Sequence, residues 1–302
     1  MSTSSRVSLL ATLGLLVMTA VWGSTFVLIK AVVGRMPVAD FLAVRFAIAA
    51  IAMFALFHRH VVRLERRQLW RGALLGAVYG SGQLLQTWGL ALISPSVSGF
   101  VTGMYVVFTP ILATILLRQR TPPVVWVAVT LATSGLALLS LNGFSVDKGV
   151  WLTLLSALLY GLHIVGLGHW SRPDEAFGLS AVQMVVIALV CLLATVGHGG
   201  PMLPPDGDAW IATLYMALIA GAGAMLMQTW AQAHLPAARA AIVMTTEPVF
   251  AAGFAVALGV DALTWRMLVG GGLVLAAMYL VELMPRRRGA NAMPSESVHH
   301  EV

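Results

Sequence analysis

The chain has 302 residues, of which 59% are hydrophobic and only 10% charged, and its mean hydropathy is +0.88. A soluble domain carries roughly 45–50% apolar and 25% charged residues, so this composition excludes an ordinary soluble globule and predicts a polytopic membrane protein. The net charge of +6 does not point to nucleic acid, because the arginines fall in short links between apolar segments rather than along one helix face.

Ten apolar runs approach the length that crosses a bilayer: 9–33, 41–57, 69–92, 97–117, 124–141, 150–170, 179–197, 210–232, 237–260 and 265–284. The fold class predicted is therefore an all-α polytopic membrane protein with ten transmembrane helices. The links are too short for a separate soluble domain, and residues 285–302 read as a polar, disordered tail in which His299 and His300 are solvated. Arg6 and the small residues near 18–23 resemble a secretory signal, but the first run has a counterpart later in the chain, which argues that it is retained. Cys191 lies inside an apolar run, leaving neither a disulfide framework nor a thiolate metal site. Lys30 and Lys148 are the two lysines among eighteen basic residues, a bias that fits a GC-rich bacterial source.

Alternate links differ in charge. With the N-terminus inside, the inner segments hold thirteen arginines, among them Arg59, Arg63, Arg66, Arg67 and Arg71, whereas the outer links hold Arg35, Lys148 and Arg266. The 198–209 link has no Lys or Arg and carries Asp206 and Asp208. The positive-inside rule then places both termini in the cytoplasm.

An internal repeat organises the chain. Trp22-Gly23 recurs as Tyr160-Gly161, Ala43-Val44-Arg45 as Ala181-Val182-Gln183, and Thr109-Pro110 as Glu247-Pro248, each 138 residues on. Gln86-Thr87-Trp88 recurs outright as Gln228-Thr229-Trp230, 142 residues on. The repeats run over 9–141 and 150–284. Each holds five spans, an odd number, so the second must enter the membrane inverted relative to the first, an architecture common among secondary transporters.

Polar residues fall on helical faces. Tyr79, Gln83 and Gln86 share one face of the third span; Ser98, Thr102, Tyr105 and Thr109 one face of the fourth; Thr153, Ser156, Tyr160 and His163 one face of the sixth; and Trp22 and Thr25 one face of the first. In hydrocarbon such stripes must turn toward other helices or a water-filled cavity. Interhelical hydrogen bonding, at about 0.6 kcal/mol per bond, is the plain reading of any one of them. Their convergence with Glu247, and with Gln228 in the second repeat, predicts a substrate cavity.

Glu247 stands about ten residues into the ninth run, near the middle of a membrane-length helix. A charge there costs roughly 2.5–3.5 kcal/mol on insertion scales, which marks it as a functional candidate for proton coupling or for holding a substrate ammonium. Pro110 and Pro248 each delete a hydrogen bond to the carbonyl four residues back and are expected to break their helices. Lys30 and Arg45, near the outer ends of their spans, are expected to snorkel to the outer interface or to attract an anion at the outer mouth. Gly72, Gly76 and Gly80 at spacing four, and Gly270-Gly271-Gly272, mark close helix contact. No P-loop, HExxH or nucleophile–base pattern occurs, so neither an ATP-driven pump nor an enzyme is indicated, and no cofactor, metal or catalytic residue is expected.

Trp22-Gly23-Ser24, Val44-Arg45-Phe46, the proline-bearing fourth and ninth spans and Glu247-Pro248-Val249-Phe250 together resemble the EamA family of the drug/metabolite transporter superfamily, over 9–283. The resemblance implies a ten-helix inverted-repeat carrier of small metabolites, often exporting, with amino acids a common substrate class. Family members usually carry Gly-Glu before Leu-Thr at the ends of the fourth and ninth spans. Here the first copy reads Leu117-Arg118-Gln119-Arg120-Thr121, without the acid, and the second reads Gly259-Val260-Asp261-Ala262-Leu263-Thr264, with an acid at Asp261. The expected partners are thus a small amphipathic solute, the lipid bilayer and protons. The competing reading is a membrane-embedded receptor or enzyme without transport.

Overall fold

The computed structural model describes residues 3–118, 123–142, 145–170, 175–198, 200, 202–224, 226–227, 231 and 243–282. Helices α1 (Thr3–Val33), α2 (Val38–Val61), α3 (Arg66–Leu92), α4 (Pro95–Gly103), α5 (Tyr105–Leu117) and α6 (Pro123–Ser140) form the first half. A two-residue antiparallel pair, β1 (Leu141–Asn142) with β2 (Ser145–Val146), links it to α7 (Lys148–Trp170) and α8 (Ala176–Leu193). Then follow α9 (Gly207–Leu214), a π-helical stretch over Tyr215–Gly223, α10 (Glu247–Ala257) and α11 (Trp265–Glu282).

Local sequence explains where these elements begin. Glu65 and Gln68 form a reciprocal capping box at the start of α3. Ser94 caps α4, with Pro95 in its first turn, and the Asp206 side chain accepts from Ala209 N at 2.9 Å to cap α9. Among the described residues five helices are long and apolar enough to cross a membrane: Leu9–Val33, Val38–Val61, Pro95–Leu117, Lys148–Leu167 and Ala176–Leu193. Pro123–Leu139, Glu247–Ala257 and Trp265–Leu280 are apolar but shorter. Helix α3 has the length but carries Arg66, Arg67 and Arg71 at one end and the stripe of Tyr79, Gln83 and Gln86 farther along. Large apolar side chains face outward around the bundle, with Val17 64% and Ile51 71% exposed. A water-facing surface of this kind would associate, whereas lipid accepts it.

Among the described residues two large apolar clusters, with two smaller ones beside them, make the interior. One joins α1, α2 and α8 around Phe41, Leu42, Met53 and Ile187, with Met216 of the π-helical stretch. The other joins α4, α6, α7 and α11 around Phe100, Ala128, Ala157 and Met278. The most extensive helix pairs are α2 with α8, α3 with α7, α6 with α11, α3 with α8 and α1 with α10. Small residues permit these approaches. A Cβ built on Gly76 of α3 would stand 2.8 Å from the Gln183 carbonyl oxygen of α8, and one on Gly135 of α6 would stand 2.5 Å from the Gly270 carbonyl of α11. Gly23 and Gly161, one repeat apart, sit respectively against Phe250 and Ala251 of α10 and against Phe108 and Thr109 of α5.

Of the two expected helix breaks, the one at Pro110 is displaced, while the chain does turn just before Pro248. In the first half the chain turns at Met104, between α4 and α5, and α5 then runs through Pro110. Pro110 is therefore not the break itself, which lies six residues upstream. In the second half Thr245 and Thr246 form a turn, so Glu247 is the first residue of α10 and Pro248 sits in its first turn. The mid-helix position expected for Glu247 is thus corrected to a helix start, where a proline without an N–H is best tolerated.

Candidate functional site

A hydrogen-bonded chain ties α3, α7 and α4 together. Gln83 Nε2 donates to the Tyr160 hydroxyl at 2.7 Å, Tyr160 donates to Gln86 Oε1 at 2.7 Å, and Gln86 Nε2 donates to Thr102 Oγ1 at 3.0 Å. Period-3.6 spacing on α3 turns Gln83 and Gln86 to one side, and close contact with α7, where Gly82 meets the Tyr160 ring, brings the phenol between them. Tyr79 extends the cluster, its ring 5.1 Å from that of Tyr160 and 5.0 Å from that of His163. His163 Nε2 lies 2.7 Å from Gln183 Oε1; since that oxygen can only accept, Nε2 carries the proton. Members of the third-, fourth- and sixth-span stripes therefore meet, and Gln183 of α8 joins them. As the only strongly polar residue in an apolar run, Gln183 was the available signal.

Of the other expected cavity residues, Trp22, Thr25, Tyr105 and Thr109 have partners of their own. Trp22 Nε1 donates to the Ala220 carbonyl at 2.8 Å, within the π-helical stretch, whose displaced backbone needs such a partner. Thr25 turns back to the Trp22 carbonyl at 2.7 Å, and Thr109 to the Tyr105 carbonyl at 2.7 Å, so both satisfy their own helices. Tyr105 packs partly against the second apolar cluster. Gln228 and the tail histidines lie outside the described residues. Thr19 of α1 and Thr246, which precedes Glu247, bring their hydroxyls to 3.2 Å, a contact that the sequence reading missed.

Glu247 is half-buried and within electrostatic reach of both Tyr79 and Tyr160. Its carboxyl has no hydrogen-bond partner among the described residues. Arg45, on α2, reaches the same two tyrosines from elsewhere in the bundle.

Of the two expected outer-mouth cations, Lys30 caps a helix end and Arg45 is corrected from the surface to the interior. Lys30 Nζ donates to the carbonyls of Leu90, Ala91 and Ile93, each at 2.9 Å, and so closes the end of α3, where unpaired carbonyls and the helix dipole attract a cation. Arg45 is only 7% exposed, on the helix that packs along α8, with Tyr79, Tyr160 and Cys191 in its neighbourhood. Snorkelling requires an open helix flank, which the buried Arg45 does not have, whereas Lys30 is only partly buried. Asp261 Oδ2 accepts from the Ser96 backbone N–H at 2.9 Å, tying the link after α10 to the first turn of α4. The exposed pair of Arg35 with Asp206, at 2.7 Å, joins two other links at the same end of the bundle and contributes at most about 1 kcal/mol.

Apolar outward faces around a polar, helix-bridging centre define a multi-pass helical membrane protein. The EamA-like transporter family model matches residues 9–141 and 147–283, and the chain belongs to that family. An "Uncharacterized transporter" of Archaeoglobus fulgidus is 30% identical over 280 residues, 91% of this chain and 86% of that protein. A "Probable terminal-alkyne amino-acid exporter" of Streptantibioticus cattleyicolor is 25% identical over 293 residues, 91% of this chain and 95% of that protein. A solved crystal structure that is 19% identical covers 90% of this chain and 96% of its own, with a TM-score of 0.63, a likeness in fold. The chain is thus a transporter.

Proposed function

We propose that this transporter is a secondary carrier that exports small amphipathic metabolites, amino acids and their relatives, across the cytoplasmic membrane of a bacterium. In this reading ten spans form two inverted five-helix repeats with both termini in the cytoplasm, and the halves rock about the central site to give alternating access. Protons drive the cycle, and Glu247 carries them; neither nucleic acid nor enzymatic chemistry is involved.

The observation that carries the proposal is the carboxyl of Glu247, half-buried at a helix interruption and electrostatically joined to the aromatic and amide cluster of Tyr79, Gln83, Gln86 and Tyr160. Packing alone does not call for an ionisable group at such a place. The cross-half pairs support the repeat: α2 with α8 and α6 with α11 join counterpart helices, and Gly23 and Gly161 each meet the other half's proline-bearing helix. The exporter name of the Streptantibioticus cattleyicolor relative favours amino acids and outward movement. Aromatic rings beside a few polar groups suit an amphipathic solute.

Overexpression in a bacterial host, compared with an empty vector, tests both class and direction. Amino acids or related small amphipathic compounds are expected to accumulate in the medium, with increased resistance to a toxic amino-acid analogue. A profile of sugars or large polyanions would contradict the substrate class, and increased sensitivity to the external analogue would reverse the direction. A receptor or membrane-embedded enzyme would change neither profile nor resistance.

A further inference from the structure

The two copies of the second-span motif are built differently. In the second copy Gln183 is satisfied: its Oε1 is held by His163 Nε2 at 2.7 Å and its Nε2 reaches the Leu179 carbonyl at 3.3 Å. In the first copy the same place holds Arg45, and the residue 138 positions before His163 is Thr25, whose hydroxyl is turned to its own helix at the Trp22 carbonyl. Arg45 therefore lacks the partner that its counterpart has. It is more than nine-tenths buried, its Nε is fully enclosed with no acceptor, and its guanidinium makes no hydrogen bond or ion pair among the described residues. The near groups are the Phe46 ring, 5.0 Å from Cζ, and Tyr79, Tyr160 and Cys191 within electrostatic reach.

A buried cation without a counter-charge is costly and calls for an anion when the site is in use. We propose that Arg45 receives the carboxylate of the transported solute, so that a free carboxylate is required for recognition at the central site. One planar guanidinium fork matches a single carboxylate, held bidentately. A phosphate dianion would need further donors, and Lys30 is committed to three carbonyls. Tyr79 and Tyr160 connect the place of Arg45 to that of Glu247, since both charged groups act on both phenols. The inference rests on the carrier reading and narrows it to carboxylate-bearing solutes.

The test titrates the purified, full-length wild-type protein calorimetrically with the twenty common L-amino acids and, for each that binds, with its decarboxylated amine and its methyl ester. Amine and ester are expected to bind at least about thirtyfold more weakly than the parent, the range for removing one partner of a buried charge pair. Arg45→Gln should weaken the amino acid by a similar factor while leaving the amine's affinity in place, and Arg45→Lys should recover part of the loss. Amines or esters that bind the wild type as tightly as the parent would overturn the proposal even if Arg45→Gln fails to fold. An equal loss for all three ligands in Arg45→Gln, or no amino acid bound by the wild type, would also overturn it. Export of a solute without a carboxylate would overturn this inference while leaving the carrier reading intact.

Discussion

Replacing Glu247 with Gln is expected to abolish substrate accumulation driven by an imposed pH gradient, a loss of at least about a hundredfold if the carboxyl is the proton carrier, within the range attributed to a positioned acid–base group. The amide keeps the size and hydrogen-bonding capacity of the side chain and deletes its charge and titration, so a packing role would survive. Gradient-free exchange of substrate across the membrane should be retained, because exchange requires the site to reorient loaded with solute and not to load a proton. A joint fall of exchange and apparent affinity would instead assign Glu247 to a substrate ammonium. Transport unchanged at equal expression and across external pH would leave the carboxyl as part of the helix interface.

The second large effect concerns the α3–α8 seam. Gly76→Leu places a side chain where even a Cβ meets the Gln183 carbonyl oxygen at 2.8 Å and the Val186 Cβ at 2.9 Å. Backbone cannot yield as a flexible side chain does, so the helices must part. Overpacking of this kind costs about 1–3 kcal/mol or more, and a fall in the detergent melting temperature on the order of 5–10 °C is expected. The same substitution at Gly272, where a built Cβ finds nothing within 4 Å, should leave Tm within about 1 °C. Thermal unfolding followed by fluorescence-detected size exclusion distinguishes them; equal melting of the two variants would contradict the seam. Because Gln183 orients His163, partial separation at Gly76 should also weaken transport before the protein unfolds.

The membrane class was legible because composition and run length depend on no tertiary detail. The polar stripes on α3 and α7 were also legible, since a helix fixes which residues share a face. Which stripe meets which was not, and so Tyr160 between Gln83 and Gln86 emerges only from the structure. Lys30 and Arg45 show the limit most clearly. Both stand near a span end, where a long cation ordinarily reaches water, yet the surroundings decide the outcome: α3 offers Lys30 its terminal carbonyls, and Arg45 lies buried on the helix that packs along α8. Pro110 and Pro248 carry the same local rule to two different results. One proline is carried inside α5, the other placed in the first turn of α10, because the first half breaks at Met104 and the second at Thr245 and Thr246.

Counterflow in proteoliposomes is the most direct test of the carrier. Vesicles containing the purified wild-type protein and preloaded with unlabelled solute from the export profile are diluted into a trace of the same labelled compound. An alternating-access carrier predicts a transient overshoot of label inside, above the level in protein-free vesicles, because each outward trip of unlabelled solute returns the site for labelled solute. Label that stays at the protein-free level for every solute in the profile, with folded protein in the membrane, would contradict it.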